Sequence, residues 1–184
     1  MSFSQAYRAE LLKAIDTIDI EKVEQAIAWL NAARAAGRTI FVAGNGGSAG
    51  TASHFVCDMV KGASYQRESR FRVMCLNDNL ATLTAYSNDV GYEVAFAEQL
   101  KNFAEPGDVY MAISGSGSSP SVVNAMETAQ AMGCKTIALT GRDGGKLGKL
   151  AQLNLHIPVP HMGRIEDAHM IICHMIGYSF MDEQ

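Results

Sequence analysis

The sequence alternates between short apolar runs and longer stretches with helical spacing, and no other feature restricts the fold as strongly. Apolar runs of strand length are found at 38–43, 71–76, 108–113, 135–139 and 153–157, and each is followed by a helical stretch. Strands that alternate with helices form a parallel sheet with helices on both faces. The pattern therefore predicts an α/β protein with a doubly wound, parallel, five-stranded sheet.

The remaining segments predict the helices that cover this sheet. Apolar residues at positions 11, 12, 15 and 18, and again at 23, 26, 27 and 30, predict two N-terminal helices within about 1–36, ending before Gly37. Further helices are predicted at 49–60, 79–87, 93–104, 121–132 and 144–150, with a long C-terminal helix at 163–181. No linker-like segment interrupts this order, so we expect one domain spanning 1–184.

Composition and charge exclude several classes of protein. The net charge of −4 argues against a nucleic-acid partner, which would need a basic face. No apolar run approaches the ~20 residues of a membrane span, and the first residues lack the apolar core of a signal peptide. The four cysteines form no CxxC pair and lie in apolar runs, as buried free thiols do in a reducing compartment. We therefore expect a cytoplasmic protein that binds neither nucleic acid nor membrane.

Two glycine- and serine-rich loops follow the first and third predicted strands, with the sequences GNGGS at 44–48 and SGSGSS at 114–119. Ligands of parallel sheets bind beyond the carboxyl ends of the strands, where these loops lie. Glycine lets the backbone approach an anion, the next helix offers unpaired N–H groups, and serine adds neutral donors. The candidate ligand-binding residues are Asn45, Gly46, Gly47, Ser48, Ser114, Gly115, Ser116 and Ser119, with Ser118 beside them.

These loops predict a site for a phosphorylated sugar, although one alternative stays open. Neither loop has the GxGxxG spacing of a dinucleotide site or the GK[ST] of a P-loop. The alternative is that the glycines only make tight turns and the serines only cap helices.

Five motifs, taken in order, resemble a known family. They are GNGGSA, HF on the following helix, SNDVGY, AISGSGSS and ALTGRDGGKL. Together they resemble the SIS (sugar isomerase) domain family and, within it, the phosphoheptose isomerases, which act on sedoheptulose 7-phosphate. The resemblance implies a flavodoxin-like sheet and a homotetramer whose active sites are shared between subunits. It also implies a role in heptose biosynthesis, as a source of lipopolysaccharide precursors.

The resemblance also assigns chemical roles. Aldose–ketose isomerisation needs a base for a carbon-bound proton and an acid for an oxygen. The family pattern places the base at Asp58, where the isomerases have glutamate, and the acid at His174. It suggests that Asp89 contacts sugar hydroxyls. Asp167 lies seven residues before His174 and would orient its imidazole, whereas His169 is interpreted as structural. The alternatives are a solvated helix face for Asp58, a subunit interface for His174 and a simple helix-terminal turn for Asp89.

The resemblance also implies a metal site, because some family members bind a divalent metal, zinc. Carried over residue by residue, the ligands are His54, Asp58, Glu166 and His174, for one zinc ion per site. His54 and Asp58 are spaced i, i+4 and share a helix face. Glu166 replaces the family glutamine and would also line the substrate site. It lies eight residues before His174, so the two side chains are ~80° apart around a helix. Lys61 is the nearest cation where the family has an arginine.

Three functions from different classes remain open at this point. The first is a sugar-phosphate isomerase, which the acid and base candidates Asp58 and His174 favour. The second is a non-catalytic SIS module that binds the bacterial replication initiator. The third is a sugar-phosphate-sensing regulator, but such regulators carry an added DNA-binding domain, for which we expect no room in 184 residues.

Overall fold

The computed structural model describes residues 1–182. Two helices, α1 (Phe3–Ile15) and α2 (Ile20–Ala35), precede the first strand. The elements that follow are β1 (Thr39–Gly44), α3 (Gly47–Cys57), β2 (Arg72–Cys75), α4 (Leu80–Asp89), α5 (Ala95–Phe103), β3 (Val109–Ser114), α6 (Pro120–Ala131), β4 (Lys135–Gly141), α7 (Leu147–Leu150), β5 (Leu153–Ile157) and α8 (Met162–Met181). A π-helical turn (Asp58–Gly62) follows α3, and a 3-10 turn (Tyr92–Val94) precedes α5.

The five strands form one parallel sheet in the order β2-β1-β3-β4-β5. This is the flavodoxin-like order. After β2 is added on one side of β1, the later strands are added on the other side, so the strand order reverses between β1 and β3. The prediction of a doubly wound, five-stranded parallel sheet is therefore confirmed. The reversal matters for function because it opens a crevice at the carboxyl ends of β1 and β3.

Both faces of the sheet are buried, as helices on two sides require. Ile40 and Val42 pack into one hydrophobic core with residues of α2, α3 and α8. Phe41 and Tyr110 point to the opposite face and pack with residues of α5 and α6. Successive strand residues alternate between the faces, so each strand contributes to both cores.

Local sequence signals explain the helix boundaries in the N-terminal part. Ser2 and Gln5 form a capping box at the start of α1, and Asp19 accepts the N–H of Lys22 at the start of α2. Gly37 follows α2 with a φ of 64°, a conformation that favours glycine and ends the helix as predicted.

The predicted regular helix at 49–60 was wrong in its last part. The α-helix begins at Gly47 and ends at Cys57, and the chain continues as the π turn, in which the N–H of Ala63 donates to the carbonyl of Asp58 at 2.9 Å. An i→i+5 bond of this kind does not change the spacing of apolar residues, so the sequence does not reveal it.

Cys57 also departs from prediction: its side chain is exposed, while Cys75, Cys134 and Cys173 are buried free thiols.

None of the helices in residues 1–182 combines the length and the apolar character that a membrane span requires.

Candidate active site

The two glycine- and serine-rich loops meet at the crevice between β1 and β3. Gly44 and Ile113 are register partners, so the loops leave neighbouring strands side by side. Between them lies a cavity of about 270 Å³, lined by Asn45, Gly46, Gly47, Ser48, Ser114, Gly115, Ser116, Ser119, Met162 and Glu166. The structure thus brings together all eight loop residues that the sequence predicted, and Ser118 stays outside the lining.

Backbone geometry shapes this cavity for an anion. Gly46 has a φ of 54°, and no side chain caps the first turn of α3 that follows it. Nor does any side chain cap the first turn of α6, which begins at Pro120 directly after the second loop. In α3 the N–H groups of Ser48 and Ala49 already donate to the carbonyls of Asn45 and Gly46, so among the described residues the Gly47 N–H is the one of this turn left for a ligand. Both helices direct the positive ends of their dipoles at the loops.

Serine hydroxyls add donors to the same cavity. The hydroxyl oxygens of Ser114 and Ser116 lie 3.4 Å apart and accept the N–H groups of Gly117 and Ser118, at 3.2 and 3.3 Å. One of the two hydroxyls donates to the other, so one hydroxyl proton of this pair is left to point toward a ligand. The lining contains no lysine or arginine. The loop is thus suited to a phosphate held by neutral donors and helix ends.

Glu166 brings a carboxylate to the edge of this cavity. It lies in the first half of α8, against the backbone of Gly47. A Cβ at Gly47 would lie 2.6 Å from Glu166 Oε1, so only glycine lets the loop and this carboxylate approach so closely. A carboxylate here can accept hydrogen bonds from sugar hydroxyls.

A second group of side chains converges farther along α3 and α8. His54 Nε2 lies 3.2 Å from His174 Nε2 and 3.4 Å from Asp58 Oδ2, and His174 Nε2 lies 3.8 Å from the same oxygen. Asp58 Oδ2 is buried and makes no hydrogen bond among the described residues. Three potential ligand atoms therefore face one point in space.

This triad has the dimensions of a metal site. Zinc–ligand bonds of about 2.0–2.2 Å imply ligand–ligand distances of about 3.3–3.6 Å at the edges of a tetrahedron. The three observed distances, 3.2, 3.4 and 3.8 Å, bracket that range. Two imidazoles and one carboxylate are also an accepted ligand set for zinc that leaves a fourth position open. The buried, unbonded Asp58 oxygen is the atom that such an ion would satisfy.

Two glycines lie where the π turn and α8 meet. Gly177, on α8, faces Asp58, and a Cβ built there would be in ordinary contact with the Asp58 Cβ at 3.7 Å. Gly62, at the end of the π turn, leaves room for Met181, which a side chain at that position would overlap. The π turn begins at Asp58 itself, and π-helical turns are frequent at functional sites.

Other predicted site residues are not brought to the triad. Glu166 is eight residues from His174, which is about 12 Å along α8, and it lies in the loop cavity instead. Asp89 lies at the end of α4 beside Tyr86, in a separate surface cavity, and accepts from Asn88 at 2.7 Å. Asp167 does not orient His174 as predicted.

Asp167 instead belongs to the contact between α1 and α8. It accepts a hydrogen bond from the Tyr7 hydroxyl at 2.6 Å. This contact raises the pKa of Tyr7, mainly because the hydrogen bond to Asp167 favours the protonated phenol. Asp167 therefore helps to dock the N-terminal helix.

Comparison with known proteins shows to which family the chain belongs. Residues 4–141 match the SIS domain family. The chain belongs to the SIS domain family. A relative from Thermoplasma volcanium named "Probable phosphoheptose isomerase" is 42% identical over 89% of this chain and 82% of its own length. A phosphoheptose isomerase from Aliarcobacter butzleri is 38% identical, covering 93% and 89% of the two chains.

The solved structures agree with the relatives. The phosphoheptose isomerase of Neisseria gonorrhoeae superposes on this SIS domain with a TM-score of 0.89, at 30% identity and with 97% of each chain covered. The family resemblance predicted from the five motifs is therefore confirmed, and so is the isomerase class of enzyme.

Sequence reasoning missed three residues at the loop cavity of this SIS domain. Met162 lines the cavity from the start of α8. The Tyr92 hydroxyl donates to Asn45 Oδ1 at 2.6 Å, and Asn45 Nδ2 donates to Ser121 Oγ at 2.9 Å. Tyr92 was visible in the SNDVGY motif, whereas nothing in the sequence marked Ser121. These contacts fix the Asn45 amide, so only one of its N–H groups remains for a ligand.

His169 behaves as the structural residue that the sequence suggested. It is fully buried, and its Nε2 lies 3.1 Å from the carbonyl oxygen of Thr140 at the end of β4. Burial lowers the pKa of His169 to about 4, although the Thr140 carbonyl opposes this shift. The imidazole is therefore neutral at physiological pH and joins α8 to the sheet.

Proposed function

We propose that this protein is a phosphoheptose isomerase that interconverts sedoheptulose 7-phosphate and D-glycero-D-manno-heptose 7-phosphate. The observation that carries this proposal is the convergence of Asp58 and His174 beside a phosphate-type cavity. The named relatives at 38–42% identity point to the same reaction. A non-catalytic SIS module has no need of a carboxylate and an imidazole held together in this way.

The loop cavity binds the phosphate in this proposal. Ser116 and Ser119 donate hydroxyl protons to the phosphate oxygens, and the first turns of α3 and α6 add backbone N–H groups. Asn45 and Glu166 contact hydroxyl groups of the sugar. With the phosphate fixed at the loops, the chain of the sugar extends along α8 toward His174.

The triad then carries out the proton transfers. Asp58 removes the proton from C1 of the ketose, and His174 protonates the O2 oxygen, which gives an enediol. Asp58 next returns the proton to C2, while the O1 hydroxyl loses its proton to His174 and C1 becomes the aldehyde carbon. No atom is gained or lost in this exchange. The partial burial of Asp58 limits competition from water for its proton.

We propose His54, Asp58 and His174 as the ligands of one zinc ion, and the fit of their distances supports this. When bound, zinc would polarise the carbonyl and hydroxyl oxygens of the substrate and stabilise negative charge on them. Glu166 lies too far along α8 to join the triad in the described arrangement, so we assign it to the substrate. Because a His174 Nε2 that held zinc would carry no proton, the proton transfers assigned to His174 apply to the metal-free triad, and the assay with and without zinc distinguishes the two states.

We further propose a homotetramer in which subunits share active sites. Helix α4 has no buried residue, and Leu80 at its start (69%) and Val90 directly after its end (66%) are exposed. An amphipathic helix of a folded protein normally buries one face, so this surface is available to a second copy of the chain. Asp89 lies at its end, and a neighbouring subunit would bring this carboxylate to the site.

A cytoplasmic location is part of the proposal, because the three buried thiols are reduced.

The deciding experiment is a proton NMR assay with sedoheptulose 7-phosphate in heavy water, with and without added zinc. We expect a heptose 7-phosphate to appear and deuterium to enter at the carbon next to the carbonyl. If the folded protein binds the substrate and neither product nor deuterium appears, the proposed reaction is wrong.

A further inference from the structure

The segment that follows β2 contacts the first glycine loop through a side chain rather than the backbone. The Gly44 N–H donates to Asn77 Oδ1 at 3.1 Å, and Asn77 Nδ2 donates to the Gly44 carbonyl at 2.8 Å. One side-chain amide thus satisfies both backbone groups of the last residue of β1. Neither residue of this pair was singled out by the sequence motifs as a contact partner.

This contact continues the sheet beyond the point where the β2 backbone leaves it. Val42 pairs with Cys75 in the β1–β2 register, and the Leu76 N–H still donates to the Val42 carbonyl at 2.9 Å. Two residues farther along each strand, the partners in the same register are Gly44 and Asn77. The backbone turns away there toward α4, and the Asn77 amide takes the place of a strand peptide. The side of β1 that faces β2 therefore stays hydrogen-bonded up to Gly44, the first residue of the loop.

A second contact from the same segment holds the other side of the loop. The Ser53 hydroxyl, on α3, donates to Asp78 Oδ1 and lies 3.5 Å from Cys75 Sγ. Asn77 thus holds the residue where the loop begins, and Asp78 holds the helix into which it leads. Two consecutive residues therefore contact both sides of the loop at 44–48, one at its first residue and one at Ser53, which lies on α3 beyond the loop.

Gly44 is packed so tightly that its position affects the shape of the cavity. A Cβ at Gly44 would lie 2.6 Å from the carbonyl oxygen of Ser48 and 2.9 Å from that of Ile113. Gly44 is therefore in close contact with the far end of its own loop and with β3. A displacement of Gly44 has to move Ser48, which lines the cavity.

We infer that Asn77 and Asp78 are positioning residues that hold the first glycine loop in the shape that binds the phosphorylated sugar. The inference rests on the proposed isomerase function, but its structural part concerns the loop alone. Neither residue lines the cavity, so both act through Gly44 and Ser53. Loss of this brace loosens the loop and weakens binding of the substrate, while the triad on α3 and α8 keeps its chemistry.

The test compares the wild type with Asn77→Leu, which keeps the branching and the number of non-hydrogen atoms of the side chain and removes both hydrogen bonds. Two lost hydrogen bonds correspond to an increase in KM of about tenfold for sedoheptulose 7-phosphate. We expect kcat to change by much less. Amide hydrogen exchange at 44–48 should become faster in the variant. Asn102→Ala is the matched control, because the Asn102 amide bonds only to the Glu98 carbonyl of its own helix and is exposed.

Asn77→Asp provides a second variant if Asn77→Leu does not fold. It keeps the acceptor for the Gly44 N–H and loses the donor to the Gly44 carbonyl, so exchange at 44–48 should be intermediate. Unchanged exchange and unchanged KM in a folded variant would overturn the inference, as would equal effects in Asn102→Ala. If the wild type does not convert sedoheptulose 7-phosphate, the proposed function fails, whereas hydrogen exchange still decides whether Asn77 holds the loop.

Discussion

His54 and His174 are 120 positions apart in the chain, and their Nε2 atoms lie 3.2 Å apart. One of the two imidazoles donates to the other, or both face a common ion. The nearby Asp58 oxygen is 3.4 and 3.8 Å from these nitrogens. Two nitrogens and one buried carboxylate oxygen at such distances are an arrangement that a cation stabilises.

Metal binding should therefore depend on this pair. We expect the wild type to bind one zinc ion per chain, and His54→Ala to lose most of this affinity. Binding should also weaken as the pH falls, because imidazoles must be deprotonated to ligate. Metal content after dialysis and competition with a chromogenic chelator would measure both effects. His161→Ala removes a histidine outside the triad and should bind zinc as the wild type does.

Replacement of the proposed base should stop the reaction and spare binding. Asp58→Asn keeps the size of the side chain and removes the proton acceptor, so kcat should fall by about 10²–10⁴-fold. Asp58→Glu keeps a carboxylate and should retain much more activity. The measurement is the rate of heptose 7-phosphate formation, with calorimetric titration of the substrate as the binding readout. Asp16→Asn, at an exposed site, is the control; full activity of Asp58→Asn would exclude the assignment.

Phosphate binding should depend on the serines that line the cavity. Ser116→Ala and Ser119→Ala each remove one donor to a charged group, at a cost of about 1.5–3 kcal/mol in binding free energy. Titration calorimetry with sedoheptulose 7-phosphate would measure this loss. Ser118→Ala is the matched control, because Ser118 is in the same loop and outside the lining. Equal losses in all three variants would mean that the loop acts only through its fold.

Stability should fall in weak acid because of His169. Its pKa is about 4 in the folded protein, where burial disfavours the charged ring, and its ordinary value is 6.5. The unfolded chain therefore binds more protons between these two values. The contribution of His169 is complete above pH 6.5 and declines as the pH falls toward 4. It decreases by roughly 2 kcal/mol at pH 5.

Urea unfolding at pH 7 and pH 5 would measure this dependence. His169→Gln removes the titrating ring and should show a smaller difference between the two pH values than the wild type. His161→Gln should leave the difference unchanged. A wild-type difference that persists fully in His169→Gln would assign the pH dependence to other groups.

The subunit contact proposed for α4 is tested by a charge on its exposed face. Val90→Glu should weaken assembly, because the carboxylate would have to be buried in the interface. Light scattering coupled to gel filtration would show a smaller particle than the wild type. Tyr65→Glu changes an exposed side chain outside α4 and should leave the mass unchanged. A wild type that is monomeric at micromolar concentration would refute the proposed tetramer.

Much of the fold follows from short-range patterns in the sequence. Apolar runs of strand length, helical spacing and turn glycines such as Gly37 depend on neighbouring residues, so they predicted the five strands and nearly all helix positions. The two loops were predicted for the same reason: glycine and serine after a strand have local backbone consequences, and parallel strands bring their carboxyl ends to one edge. The sequence thus determined the sheet, the loops and the family.

Tertiary structure alone decided the arrangements that join distant residues. Helical periodicity placed His54 and Asp58 on one face, but only the packing of α3 against α8 brought His174 to them and left Glu166 about 12 Å away. The π turn at Asp58 and the pairing of Asn77 with Gly44 also depend on contacts that no local pattern encodes. The physical reason is that propensity acts over a few residues, whereas a site depends on side chains whose distances are set by the packed core.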